Sequence, residues 1–231
     1  MSRKNIIIIV LIIIVAGGVG IIGYYGYQNA HYVSTDNARV AADVVQVSPE
    51  IPGNLLSWNI REGDVVTSGE ILGRQDLQAA LSTGALNPSS IGNVGAVIAQ
   101  KALITSPISG LVIKSNAVVG EMAAPGNVLA IIADTAKMYV SADIKEGNFS
   151  RIHIGEIVDV NIDAYPGRTF AGRVENIGRA TASTFSLLPS QNDSGNFTKV
   201  TQVIPIKVHL LNTAGVHLMV GMSANIRIHL E

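Results

Sequence analysis

The chain has 231 residues, a formal net charge of −1 and no cysteine. Without cysteine there is no disulfide framework, thiol nucleophile, thiolate zinc site or lipid-modified N-terminal cysteine; without a basic excess, nucleic acid is not the partner. Charged residues make up only 14% of the chain against 48% apolar, well below the ~25% charged of soluble domains, so the composition points to a membrane-associated, turn-rich chain.

Arg3 and Lys4 precede an apolar run from Ile6 to Ile22 in which thirteen of seventeen residues are Ile, Leu or Val. At roughly −0.3 to −0.6 kcal/mol each these favour bilayer insertion. Ile6–Tyr27 as a helix runs about 33 Å, enough for a hydrocarbon core. Tyr24, Tyr25 and Tyr27 follow where an interfacial aromatic belt belongs. A cleaved signal peptide has a shorter core and a small-residue cleavage site, so the segment reads as an uncleaved anchor. Arg3 and Lys4 keep the N-terminus cytoplasmic and leave the bulk outside. Gly17, Gly20, Gly23 and Gly26 recur every third residue; the spacing is not GxxxG and reads as ordinary membrane-helix glycine.

Residues 51–72 and 108–129 match at an offset of 57. Gly53 falls on Gly110, Gly63 on Gly120, Gly69 on Gly126, Leu72 on Leu129 and Asp64 on Glu121. Glycine permits the positive φ of tight turns, and the short Val/Ile/Leu runs between read as brief strands. Each copy is too short to bury its own apolar face, so two copies are expected to close over one core. Trp58 reads as a packing residue of the first copy.

Leu77–Leu103 separates the copies with one charge, Lys101. Gly84, Asn87-Pro88, Gly92 and Gly95 preclude a sustained helix, and no heptad is present. From Met138 onward the pattern is period two: Val158, Val160 and Ile162; Ile204, Ile206, Val208 and Leu210; Ala224, Ile226, Ile228 and Leu230 alternate with mostly polar residues. Strands with one buried face predict a small antiparallel barrel, with a short helix over Lys145–Ile152. Thr181–Phe197 is long, Ser/Asn-rich and aperiodic, the character of a functional or plain surface loop.

The duplicated unit resembles the split biotinyl/lipoyl-like domain of the membrane fusion proteins, or periplasmic adaptors, of the HlyD/EmrA type. Tyr32–Val40 (YVSTDNARV) resembles the family strand that leads into the barrel. Asp163–Gly167 (DAYPG), Phe170–Val174 (FAGRV) and Gly221–Ser223 (GMS) resemble parts of that barrel, and Thr184–Pro189 and Gly195–Val200 resemble the EmrA branch.

The resemblance implies a mainly β chain. It would have a cytoplasmic tip and transmembrane helix at 1–28, a strand segment at 29–47 contributing to the barrel, and a barrel-sandwich hybrid domain at 48–134. That domain's halves are 48–76 and 104–134, joined by 77–103, and the barrel domain is 135–231. The turns of the repeat are Gly53, Gly63, Gly69, Gly110, Gly120 and Gly126. The loop implied to face a transporter carries Leu187, Leu188, Pro189, Asn196, Phe197 and Lys199. Long helical arms normally join the halves; here 27 residues stand in their place. Two arms of ~12 residues would reach only about 18 Å, so docking to an outer-membrane channel does not carry over.

No residue set suggests catalysis. His31, His153, His209, His217 and His229 have no metal-ligand spacing, and no phosphate-binding or nucleophile motif is present. Arg39 and Arg61 read as solvated. No cofactor is expected. The resemblance therefore implies a non-enzymatic adaptor of a drug-efflux system, at the inner membrane, single-pass, probing no chemistry of its own. Its partners would be an inner-membrane transporter of the major facilitator type and further copies of itself. Two other readings stay open: a biotin- or lipoate-bearing carrier domain, which needs a lysine at a hairpin tip, and an anchored extracytoplasmic binding module.

Overall fold

The structure, a computed structural model, describes residues 3–76, 100–181, 201–213 and 215–230, with side chains of the N-terminal helix described from Ile13 onward. It forms two compact units, one of Met1–Ala41 with Tyr139–Glu231 and the other of Ala42–Met138.

Helix α1 (Arg3–His31) has 29 residues, about 43 Å at 1.5 Å per residue. Among the described residues no helix is long and apolar enough to cross a membrane. The helix passes without a spacer into strand β1 (Tyr32–Ala41).

The second unit holds β2 (Val44–Val47), β3 (Gly53–Trp58), β4 (Val65–Val66), β5 (Ile71–Gln75), β6 (Leu103–Thr105), β7 (Gly110–Ser115), β8 (Met122–Ala123) and β9 (Ala130–Ala133). One sheet runs β2-β9-β7-β4 and the other β6-β5-β3-β8. Each sheet therefore borrows a strand from the other copy. β4 pairs with β7, Val66 opposite Gly110, and β8 pairs with β3, Ala123 opposite Gly53.

The exchange follows the 57-residue offset atom by atom. Gly63 N–H donates to Val112 O at 2.8 Å, and Gly120 N–H donates to Leu55 O at 2.7 Å. Val112 N–H donates to Asp64 O and Leu55 N–H to Glu121 O, both at 2.9 Å. Between the sheets lies one core of paired positions: Val47 with Ile104, Leu55 with Val112, Val66 with Ala123, Leu72 with Leu129, joined by Ile60 and Ile132. The two copies do close over a shared core, because either alone leaves these side chains wet.

The expected 29–47 segment divides between the units. β1 enters the barrel, whereas β2 pairs with β9, Val47 opposite Ala130. The division falls at Ala42-Asp43, where Asp43 O accepts from Asp134 N–H instead of extending a barrel ladder.

The barrel comprises β1, β10 (Tyr139–Lys145), β11 (Ile157–Ile162), β12 (Thr169–Ile177), β13 (Val203–Leu210) and β14 (Ser223–His229), closed in the order β1-β10-β13-β12-β11-β14. Val140, Ile144, Val160, Phe170, Val208 and Ile226 point inward and are buried, as the period-two pattern requires. Register shifts between Thr35 and Ala38 on β1 and between Val174 and Asn176 on β12 supply the local bends that closure needs. The short helix expected over Lys145–Ile152 is a 3-10 helix, Glu146–Arg151.

A Cβ at Gly110 would run into the carbonyl oxygen of Ala133. Gly110→Ala should therefore cost about 1–3 kcal/mol by overpacking, read as a lower urea midpoint. Gly147→Ala, at a position with open space around it, should leave the midpoint unchanged.

Candidate functional site

Two places gather polar and aromatic groups in ways that the core does not require. The first is the junction between the copies. Trp58 ends β3, and its indole Nε1–H donates to Ser115 Oγ at 2.9 Å. Residue 115 is the repeat equivalent of residue 58, so the bond joins corresponding positions of the two copies. The ring lies over Gly73, where a Cβ would sit 2.6 Å from Trp58 Cε3; the equivalent residue, Ala130, faces the small Ser115. Glu62 Oε1 accepts from Ser115 N–H at 3.2 Å. Trp58, Arg61, Glu62, Ser115 and Val119 line a shallow open cleft.

The second is the barrel end that receives α1. The starts of β1 and β11 and the ends of β10, β12 and β14 lie together there, as the pairings Tyr32–His229, Val158–Ile228, Ile157–Arg173 and Lys145–Val203 show. Helix C-termini leave carbonyls unpaired and carry negative dipole charge. Arg151 meets both needs: its Nη2 donates to Asn29 O at 2.5 Å and Ala30 O at 2.9 Å. Leu230 N–H donates to His31 O. Tyr32 stands edge-on to His229, with the Arg227 guanidinium 5.7 Å from its ring centroid.

Of the six repeat glycines, Gly63, Gly69, Gly120 and Gly126 have φ of 84° to 96°. Gly53 and Gly110 instead open strands β3 and β7. Their constraint is a close backbone approach, to the carbonyls of Asp76 and Ala133, and not a left-handed turn. Leu187, Leu188, Pro189, Asn196, Phe197 and Lys199 lie outside the described residues. So does 77–99, while Lys101 is paired with Glu50 at 3.1 Å. Among the described residues no group of three or more potential metal ligands occurs. His229 Nε2 lies 2.8 Å from Asp159 Oδ2, and Arg39 and Arg61 are exposed.

Comparisons with known proteins agree with this architecture. Residues 43–135 match the family model described as the RND membrane fusion protein barrel-sandwich hybrid domain. The chain is 34% identical over 201 residues to the protein named "Putative efflux system component YhbJ" of Bacillus subtilis, covering 87% of this chain and 81% of the relative. The chain belongs to the membrane fusion protein family, HlyD/EmrA type.

A second member, the colistin resistance protein EmrA of Acinetobacter baumannii, is 26% identical over 90% of both chains. That alignment spans 316 positions, more than the 231 residues here, so EmrA carries residues that this membrane fusion protein lacks. Among solved structures, the membrane fusion protein Spr0693 of Streptococcus pneumoniae superposes with a TM-score of 0.60 at 16% identity, covering 87% of this chain and 99% of that one. The periplasmic adaptor protein EmrA gives 0.52 at 14% identity, with the same coverage.

Two residues of this membrane fusion protein escaped sequence reasoning. Arg151 reaches α1 across more than a hundred residues of sequence, and no local pattern marks it. Gln75 is buried where the second copy has Ile132; its Nε2 donates to Gly53 O at 3.2 Å and Ala123 O at 3.0 Å. The repeat offset could have found the Gln75/Ile132 mismatch and the Trp58/Ser115 pair.

Trp58→Phe and Ser115→Ala should each destabilise the protein. In a double-mutant cycle followed by circular dichroism, their coupling should be about 0.5–1.5 kcal/mol, the net worth of one hydrogen bond.

Proposed function

We propose that this chain is the adaptor subunit of a drug-efflux system. Helix α1 anchors it in the cell membrane with the N-terminus in the cytoplasm, and both β units stand outside. The observation that carries the reading is the pairing of two glycine-punctuated copies over one core, in a chain that also forms a six-stranded barrel and is 34% identical to the protein named "Putative efflux system component YhbJ". The naming of the second relative for colistin resistance points the same way. The anchor is supported by the uninterrupted Ile6–Ile22 run and the Arg3-Lys4 flank.

The work is geometric. The adaptor holds a transporter of the major facilitator type, and copies of itself, around an exit path, and transforms no substrate. The transporter-facing loop is the stretch with Leu187, Leu188, Pro189, Asn196, Phe197 and Lys199. In favour of this, the strands on either side of it, β12 and β13, meet it at the barrel end bearing α1: Gly178 N–H donates to Pro205 O and Glu146 N–H to Gln202 O. With 27 residues in place of helical arms, the proposed assembly stops at the transporter and needs no outer-membrane channel. A carrier role would require a modifiable lysine at the tip between the copies; Lys101 is ion-paired to Glu50 beside β6, and Lys114 lies within β7.

A strain lacking the gene should become more susceptible to the exported drug, and the full chain should restore resistance. The chain without residues 1–27 should fold in solution yet fail to restore it; resistance regained by the truncated chain would refute anchoring. Mild-detergent purification should bring a many-helix transporter with the full chain. Intact mass spectrometry should find no biotinyl or lipoyl addition.

A further inference from the structure

We propose that the barrel end bearing α1 sits within the lipid headgroup layer, with Phe149, Ile154 and Ile157 set among the headgroups. The proposal rests on the reading of α1 as the membrane span. Its first support is the absence of any spacer: His31 is the last residue of α1 and Tyr32 the first of β1. The second is the clamp on that junction. Arg151 holds the carbonyls of Asn29 and Ala30, and Leu230 N–H holds that of His31, so helix and barrel meet at a fixed height.

That height follows from the helix. Tyr24, Tyr25 and Tyr27 are exposed on α1, and tyrosines of a membrane helix settle at the hydrocarbon–headgroup boundary. His31 lies four residues beyond Tyr27, about 6 Å along the axis. The headgroup region is itself about 5–8 Å thick on each side. The barrel end therefore begins inside that layer and cannot stand clear of it.

The side chains at this end suit such a place. Phe149 is 44% exposed, Ile154 68% and Ile157 52%. They follow β10 and precede or open β11, the strand ends gathered around α1. Lys145, Arg173 and Arg179 are exposed at the same end beside half-buried Arg151, against exposed Glu146 and Glu175. Large apolar side chains among cations match an anionic headgroup layer, which attracts basic residues and accepts apolar tips. The transporter or a second copy would be the competing occupants.

The natural chain has no cysteine, so single-cysteine variants carry a spin label at one place only. Tyr24→Cys, Phe149→Cys, Ile154→Cys and Met219→Cys would be made in the full chain and reconstituted into vesicles of phosphatidylcholine and phosphatidylglycerol. Met219 is exposed and lies between β13 and β14, at the opposite end of the barrel. Collision rates with oxygen, which concentrates in lipid, and with a nickel chelate, which stays in water, give the depth of each label.

Labels at 149 and 154 should show several-fold lower nickel-chelate access than the label at 219, with oxygen access raised. Equal nickel access at 149, 154 and 219, with the Tyr24→Cys label at the depth of the hydrocarbon–headgroup boundary, would overturn this inference and leave the anchor standing. A Tyr24→Cys label freely reached by the chelate would overturn the anchor and this inference together. Low access to both reagents at 149 and 154 would mean that protein, not lipid, covers the surface, and would also overturn it.

Discussion

The reciprocal trade of backbone hydrogen bonds between the two copies is the constraint on which the second unit depends. Gly63 and Gly120 each give an N–H to the other copy's central strand, and each copy lends a two-residue strand to the other copy's sheet. A two-residue strand has no stability of its own, and neither copy can pair its backbone or cover its apolar face without the other. The half-domains must therefore fold together although 27 residues separate them in sequence. The same trade explains why Gly53 and Gly110 are glycine: the exchanged strands bring a carbonyl of Asp76 or Ala133 to where a side chain would begin.

Departures from the pseudo-symmetry are informative. Trp58 faces Ser115 across the symmetry relation, large against small, and Gly73 clears the space that the indole occupies. Gln75 takes the place that Ile132 holds in the other copy and puts its amide on two strand carbonyls. Both departures lie in the first copy. Trp58 thus places its indole N–H on a side-chain oxygen and Gln75 its amide N–H groups on backbone carbonyls.

The barrel meets a different demand, which is to continue a long helix into a sheet. A helix that ends on a strand without a linker exposes its last carbonyls at the junction. Arg151 donates to the carbonyls of Asn29 and Ala30, and Leu230 N–H to that of His31.

Much of this was legible in the sequence. Glycine spacing at a fixed offset reveals the duplication, because left-handed turns and close backbone approaches tolerate little else. Period-two burial reveals the barrel strands, because a strand with one wet face must alternate. An uninterrupted isoleucine-rich run reveals the long N-terminal helix. The amino-acid order by itself thus determined the element types, their sequence and the family resemblance, all of which are written in local pattern. Only the tertiary structure decided which copy lends a strand to which, where the 29–47 segment divides, and that Arg151 caps a helix ending more than a hundred residues earlier. Those are long-range choices, made by whichever backbone groups and carbonyls remain unpaired once the local elements have formed, and no short stretch of sequence records them.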